Sequence, residues 1–516
     1  MIPVTTFERV LTAVLLVCAS ALALAQARYE NPAGRFHVPV PTGWTDESPN
    51  DYALFVRTEP DGRAYVLAAP GEQDKVLTSA LQVLVDSGLD PEFAAAPLQS
   101  APVQLPSGTW TQRIYAYGDE LLAAIALEED GLTYVVLARG TQEAFMQAIN
   151  AAANQLLLGF EKGPLALTEE EDPGYVVEEV SFASGDITLA GTLTLPTVDG
   201  PHPAIILISG SGAQDRDGAN PALPGYRPMR WLADHLTREG VAVLRFDERG
   251  VAESGGDHLT ATSLDFADDN EAALRFLQER ADIDPKQVGF LGHSEGSMIA
   301  AMVAARNPDE VAFVISMAGA FVPGVELLLV QLERIVRATG ATEDEVAQAK
   351  EQQRQILDLA LAQDWEGLED FVHTVLLEQL EELPEEQRAP LGDLETVARQ
   401  RTAAQLEGLR SPWFELFLSY DPRDDWRQIT VPVLAVFGEL DTQVDVAQNK
   451  VEFEAAMEDA GNEDATAIVF DTANHLFQEA VTGGPDEYLT LDMEFLPSFL
   501  QALSDWLLER VEVSRP

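Results

Sequence analysis

The sequence predicts an α/β protein: a mostly parallel sheet layered by helices, with a small α+β domain before it. Three observations carry that reading. From residue 201 onward the apolar runs AIILIS, VAVLRFD, QVGFLGH and AFVISMAG alternate with helical stretches, the pattern of βαβ crossovers. Residues 291–297, LGHSEGS, form a Gly-rich turn between the third of these strands and a helix. Residues 28–160 lack the repeat and mix short strands with helical segments. A chain of 516 residues exceeds one typical domain, and 46% hydrophobic content suffices for substantial cores.

The first 27 residues set themselves apart. MIPVTTFER, with a net positive charge, precedes the 16-residue apolar run VLTAVLLVCASALALA and the small residues Ala23, Ala25 and Ala27. That is the order of a secretory signal peptide cleaved after Ala25 or Ala27. The run is shorter than the ~20 residues of a spanning helix. The expectation is therefore a secreted or periplasmic protein with no stable membrane insertion after cleavage. Cys18 is the only cysteine and falls inside this segment, so the mature chain has no thiol for disulfides, metal ligation or catalysis. Val17 before it is a poor fit to the small residue that lipid-attachment signals want.

Residues 28–165 read as the small α+β domain. FHVPVPTGW, YALFVR, AYVLAAP, TWTQRIYAY, LLAAIAL and LTYVVLAR are strand-like; VLTSALQVLVDSG and QEAFMQAINAAANQLLLGF are helical. His37, the only histidine here, reads as a packing or surface residue. A linker at 166–174 contains TEEEDPG. The second domain, 175–516, opens with VVEEVSFASGDITLAGTLTLP, an antiparallel hairpin turning at SGD, and continues into the alternating region. Between about 324 and 425 the alternation stops for a helical excursion that includes ELLLVQLERIVRATG, TEDEVAQAKEQQRQILDLALAQ and WEGLEDFVHTVLLEQLEEL. VPVLAVFGELD and ATAIVFDTANH then resume the sheet, and FLPSFLQALSDWLLERV closes it with a helix.

Charge narrows the partners. There are 86 acidic residues against 32 basic, a net of −54, and only five of the basic residues are Lys. No stretch offers the basic stripe a phosphate backbone needs, so nucleic acid is not expected as a partner. Anionic membrane surfaces would be repelled. Such a surface suits a salty medium, where self-repulsion is screened beyond ~8–10 Å, and equally serves solubility.

The chemistry centres on Ser294. Strand, tight turn and helix would lift its hydroxyl out of the sheet and set the first helix amides beside it. A serine hydroxyl needs a base, and the base an orienting carboxylate. Asp441 follows VLAVFG and His475 follows AIVFD, both at strand ends where parallel sheets collect their sites. Asp445, one helical turn on, and Asp471, at the strand end, are weaker competitors for the acid; His293, His235, His258 and His373 read as packing, positioning, surface or lid residues. An oxyanion hole would take one amide from Glu295, after the serine, and one from the loop SGSGAQDRDG at 209–218, where Ser211 is favoured and Gly212 competes.

Other ligand-binding readings fail on spacing. The loop lacks the Lys and Ser/Thr of a phosphate-binding P-loop, and the third glycine of a dinucleotide fingerprint would fall on Asp215. DRDG is too short for a calcium loop. No cofactor or metal is expected.

From about 175 to the end the chain resembles bacterial alpha/beta-hydrolase carboxylesterases of the secreted or periplasmic kind, near the dienelactone-hydrolase and prolyl-oligopeptidase branches. The matching stretches are SGSGAQDRDG, LADHLTREGVAVLRFDERG, TSLDFADDNEAALRFL, IDPKQVGFLGHSEGS, SPWFELFLSYDP with VPVLAVFGELD, and NHLFQEA. The resemblance implies a Ser294–Asp441–His475 triad, a helical cap over about 324–425, and hydrolysis of small neutral acyl esters through an acyl-enzyme. It departs from the family pattern at Ala252 and Glu253, where a Gly and a basic or polar residue are common, and at Ser297, where Gly is common. Leu327, Leu328, Leu329, Trp413 and Phe414 are candidates for an acyl pocket or for plain helical core. A peptidase or amidase of the same fold, or a catalytically silent envelope-binding protein, are the alternatives.

Overall fold

The structure is a computed structural model. It describes residues 174–514 apart from 220–225, 339, 384–387, 389–392, 486 and 489–490; before them it describes 28–30, 36–41 and most of 44–77, 99–141 and 149–162. The expected signal segment, most of VLTSALQVLVDSG and most of the expected linker lie outside the described residues. The chain divides into two compact units, one of residues 26–171 with 219–226, the other of 172–218 with 227–516.

In the first unit β1 (Arg28–Glu30), β2 (Phe36–Pro39) and β10 (Glu161–Lys162) form a three-stranded sheet. A seven-stranded antiparallel sheet takes β3 (Thr45–Asp46), β4 (Ala53–Thr58), β5 (Asp61–Pro70), β6 (Gln99–Leu105), β7 (Gly108–Tyr117), β8 (Glu120–Glu129) and β9 (Leu132–Thr141) in the order β3-β4-β5-β9-β8-β7-β6. Strand alternation sorts its side chains onto two buried faces. In β8, Ala123, Ile125 and Leu127 join a core with Phe36, Phe55, Trp110, Phe160 and helix α1 (Asn150–Leu158). Leu122, Ala124 and Ala126 pack on the other face with Tyr65, Tyr115, Val76 and Leu77. The sequence reading missed β6, whose Pro102 argues against a strand interior; β6 is an edge strand, the position where proline is tolerated.

The second unit is an eight-stranded sheet of β11 (Tyr175–Ser184), β12 (Ile187–Pro196), β13 (His202–Ile208), β14 (Ala242–Phe246), β15 (Ile283–His293), β16 (Val314–Met317), β17 (Val433–Gly438) and β18 (Ala465–Phe470), in the order β11-β12-β14-β13-β15-β16-β17-β18. The hairpin β11–β12 joins antiparallel to β14, and every pairing from β14 to β18 is parallel. All seven residues of β13 are buried, which is why it reads as an unbroken apolar run rather than an alternation. Helices α2 (Pro228–Arg238), α3 (Ser263–Gln278) and α4 (Glu295–Arg306) connect the first parallel strands. Helix α3 starts with a reciprocal capping box between Thr262 and Asp265.

In the chain, a helical insertion at the place of the expected cap separates β16 from β17: α5 (Gly324–Ala338), α6 (Glu343–Leu361), α7 (Trp365–Glu382), α8 (Leu394–Leu409), α9 (Pro412–Ser419) and α10 (Arg423–Trp426). Sequence reading had singled out α5 to α7 as helices. Helix α8 is harder to read: its buried face, Ala398, Thr402, Leu406 and Leu409, includes a polar residue, and Ala403 and Ala404 are exposed off it. Helices α11 (Val446–Ala460) and α12 (Pro497–Leu508) complete the unit. Among the described residues no helix is long and apolar enough to cross a membrane.

Candidate active site

Ser294 sits between β15 and α4 with φ 55° and ψ −118°, a conformation that side-chain-bearing residues avoid. The glycines two residues to either side explain how the chain can pass. A Cβ on Gly292 would lie 2.0 Å from the Gly296 carbonyl oxygen, and one on Gly296 would lie 2.4 Å from the Ile208 and Ser209 oxygens. Neither collision is with a movable side chain, so only glycine fits. The turn is fixed by the Ser294 amide, which donates to the Met317 carbonyl at the end of β16 at 2.9 Å.

Asp441 and His475 lie beyond the ends of β17 and β18, as the sequence places them, and the structure brings them together: His475 Nδ1 is 2.8 Å from Asp441 Oδ2. Both are buried. The other carboxylate oxygen of Asp441 accepts the Gln443 and Val444 amides at 2.7 and 2.9 Å. One oxygen thus anchors the acid and the other holds the imidazole, leaving Nε2 as the free ring nitrogen. Among the described residues no hydrogen bond joins Ser294 Oγ to that ring. His293 packs against His475, with ring centroids 4.8 Å apart, and its Nε2 donates to the His475 carbonyl at 3.0 Å. Burial, with His475 beside it, pushes the His293 imidazole down to about 3, so it stays neutral at ordinary pH. The turn carrying His475 is further set by Asn474, whose side-chain oxygen accepts the Leu476 and Gln478 amides, each at 3.0 Å.

The competing residues have other work. Asp445 caps α11, accepting the Gln448 amide at 2.8 Å, and pairs with Arg334. Asp471 is exposed. His235 bonds Ser504 at 2.8 Å, His258 stacks on Phe266 and lies 3.6 Å from Glu248, and His373 lies 3.5 Å from Glu395 within the cap.

The loop 209–218 follows β13, which pairs with β15 up to Ile208 and Gly292, so it lies alongside the Ser294 turn. A Cβ on Gly210 would be 3.1 Å from that of Ser294. Among the described residues neither the Ser211 nor the Glu295 amide donates to another backbone group. The loop is clamped to the turn after β14. Gln214 and Glu248 bond in both directions, and Arg216 makes a two-pronged pair with the buried Asp247 at 3.1 and 2.6 Å. Burial pushes the Glu248 carboxyl well above the usual carboxylate range. Arg249, in the same turn, pairs with Asp265 and Asp269 of α3.

The three departures from the family pattern find local accounts. Ser297 is buried and donates to Ser316 Oγ on β16 at 2.6 Å, a bond glycine would lack. Glu253 is exposed and pairs with Arg216 at 2.5 Å. Ala252 has φ 45°, which explains a preference for glycine there. Ala252→Gly is expected to stabilise the protein by about 0.5–1 kcal/mol, the left-handed strain relieved exceeding the entropy added to the unfolded chain. Urea denaturation measures it, and an unchanged or lower midpoint contradicts the strain argument.

Leu327, Leu328, Leu329 and Phe414 are buried in the main core of this unit, whereas Trp413 is only partly buried and packs against it. Sequence reasoning saw Glu295 only as an amide donor. Its side chain is buried and accepts the Ser263 hydroxyl and the Trp413 indole N–H, at 2.6 and 2.7 Å, a role that nothing in the local sequence announces.

Residues 203–480 match the family described as alpha/beta hydrolase fold. The chain is 27% identical over 315 residues to esterase EstD of Thermotoga maritima, covering 60% of this chain and 63% of that one. It is 31% identical over 113 residues to an uncharacterized protein of Mycobacterium tuberculosis, covering 22% and 35%. It thus spans less than two thirds of the length of these curated relatives. Among solved structures it is similar to an esterase of Pyrococcus furiosus (16% identity, 66% of this chain and 93% of that one, TM-score 0.39). It is also similar to dienelactone hydrolase from Anabaena variabilis (17%, 66% and 100%, TM-score 0.36). The family match spans more than half of the 516 residues, and the chain belongs to the alpha/beta hydrolase fold family.

Proposed function

We propose that the protein is a serine carboxylesterase that hydrolyses small neutral acyl esters through an acyl-enzyme, with Ser294, His475 and Asp441 as its triad. The observation that carries this reading is the strained Ser294 turn after β15, two strands from Asp441 and three from His475, which pair with each other while His475 Nε2 has no hydrogen bond among the described residues. His475 Nε2 takes the proton from Ser294 Oγ as that oxygen attacks the ester carbonyl. The carbonyl oxygen, now an oxyanion, rests against the Glu295 and Ser211 amides, with the positive end of α4 behind it. His475 then returns the proton to the leaving alkoxide, and a water activated by the same nitrogen releases the acid. The esterase name of the Thermotoga relative supports this choice of reaction.

Neutral esters suit a chain of net charge −54 better than anionic thioesters do. The amino-terminal segment supports an exported, secreted or periplasmic enzyme of residues 28–516, whose first domain, 28–165, precedes the hydrolase domain at 175–516. A fluorophosphonate probe is expected to label wild-type protein at Ser294 and nowhere else. Nitrophenyl esters of two to eight carbons are expected to be cleaved in preference to peptidyl amides. An unlabelled Ser294 in folded protein ends the enzyme reading, and faster turnover of the amides replaces esterase by peptidase.

A further inference from the structure

Glu295 is the residue after the proposed nucleophile, and its backbone and side chain face different tasks. The side chain is 5% exposed and buried where four segments meet. One of its oxygens, Oε1, takes both the Ser263 hydroxyl at the start of α3 and the Trp413 indole N–H from α9 of the cap. The Ser211 side chain, on the loop 209–218, lies beside the same carboxyl. Trp413 is held in turn by stacking on Phe417, with ring centroids 5.2 Å apart and planes at 11°. A buried carboxyl that takes donors from a core helix and a cap helix fixes their mutual positions, because the carboxyl deprived of them would be buried unpaired.

We propose that the Glu295 side chain is a positioning residue: by holding Ser263 and Trp413 at once, it ties the seating of cap helix α9 to the nucleophile turn. This rests on the esterase reading above. On that reading Glu295 supplies an oxyanion amide, so the bonds that hold its side chain set where that amide points. The indole bond makes the cap a participant in the same arrangement, beyond its service as an apolar wall. Trp413 acts through Glu295 and needs no contact with substrate.

The test is a double-mutant cycle on nitrophenyl acetate, whose acyl group is too short to depend on an apolar wall. Trp413→Phe keeps the ring and its stacking and removes only the donor. It is expected to lower kcat about tenfold with KM within about twofold, the loss of one charge-assisted hydrogen bond expressed in the transition state. Glu295→Ala is expected to lower kcat about 100-fold, and the double variant no further than Glu295→Ala alone. An acetate kcat for Trp413→Phe at the wild-type level overturns the proposal, as do multiplying losses in the double variant. If Glu295→Ala does not fold, the Trp413→Phe kcat decides by itself. A wall role would show instead as a raised KM confined to long acyl chains. Failure of the esterase reading is separate, since there the wild-type protein itself leaves the acetate uncleaved or Ser294 unlabelled.

Discussion

Ser294→Ala is expected to lower kcat on nitrophenyl esters by about 10⁴–10⁶-fold while leaving KM within a few-fold, since the hydroxyl acts in the chemical step and contributes little to binding. Thermal melts of the variant should match those of the parent. Ser294→Gly tests the same residue from the side of stability. The φ of 55° and ψ of −118° suit glycine and strain any residue with a Cβ. The inactive glycine variant is expected to gain about 1 kcal/mol in urea denaturation, net of the greater entropy of its unfolded chain. Activity retained in Ser294→Ala would move the nucleophile elsewhere. A glycine variant less stable than the parent would show that the backbone stores no strain.

The second large effect belongs to Asp441→Asn, expected to cost about 10⁴-fold in kcat with the fold intact. The geometry gives the reason. Oδ1 accepts two backbone amides, from Gln443 and Val444, while Oδ2 faces His475 Nδ1. An asparagine has one acceptor oxygen, and the two amides claim it, so its NH₂ points at the imidazole. His475 then takes the tautomer with the proton on Nε2, where it can no longer act as a base. Stopped-flow assay of both half-reactions should show acylation and deacylation slowed together. Loss of acylation alone would mean that another group activates the water.

The parallel sheet, the elbow and the positions of the three candidate side chains were legible because each leaves a local trace. An unbroken apolar run such as AIILIS means a strand covered on both faces, and the glycines at 292 and 296 mark a turn with no room for Cβ atoms. Strand ends at Gly438 and Phe470 place Asp441 and His475 within a few residues of one edge of the sheet. The rest depended on contacts between segments far apart in the chain. The buried face of helix α8 is interrupted by the polar Thr402, and β6 hides behind a proline that only its edge position excuses. The bond from Trp413 to Glu295 spans 118 residues, and no periodicity encodes it. Nor could sequence show that Ser297 substitutes for a glycine by bonding Ser316, or that the Arg216–Asp247 clamp steadies the loop beside the serine.

The cap leaves the sheet after β16 and returns at β17, and those two strands are hydrogen-bonded neighbours. An insertion whose ends return to adjacent strands can be exchanged for another of different length without reordering the scaffold, so transplanting a foreign lid is a rational route to new substrate preference. The Glu295 contact adds a condition to that engineering: a grafted lid lacking a donor opposite this carboxyl would arrive well folded and still leave the chemistry poorly aligned.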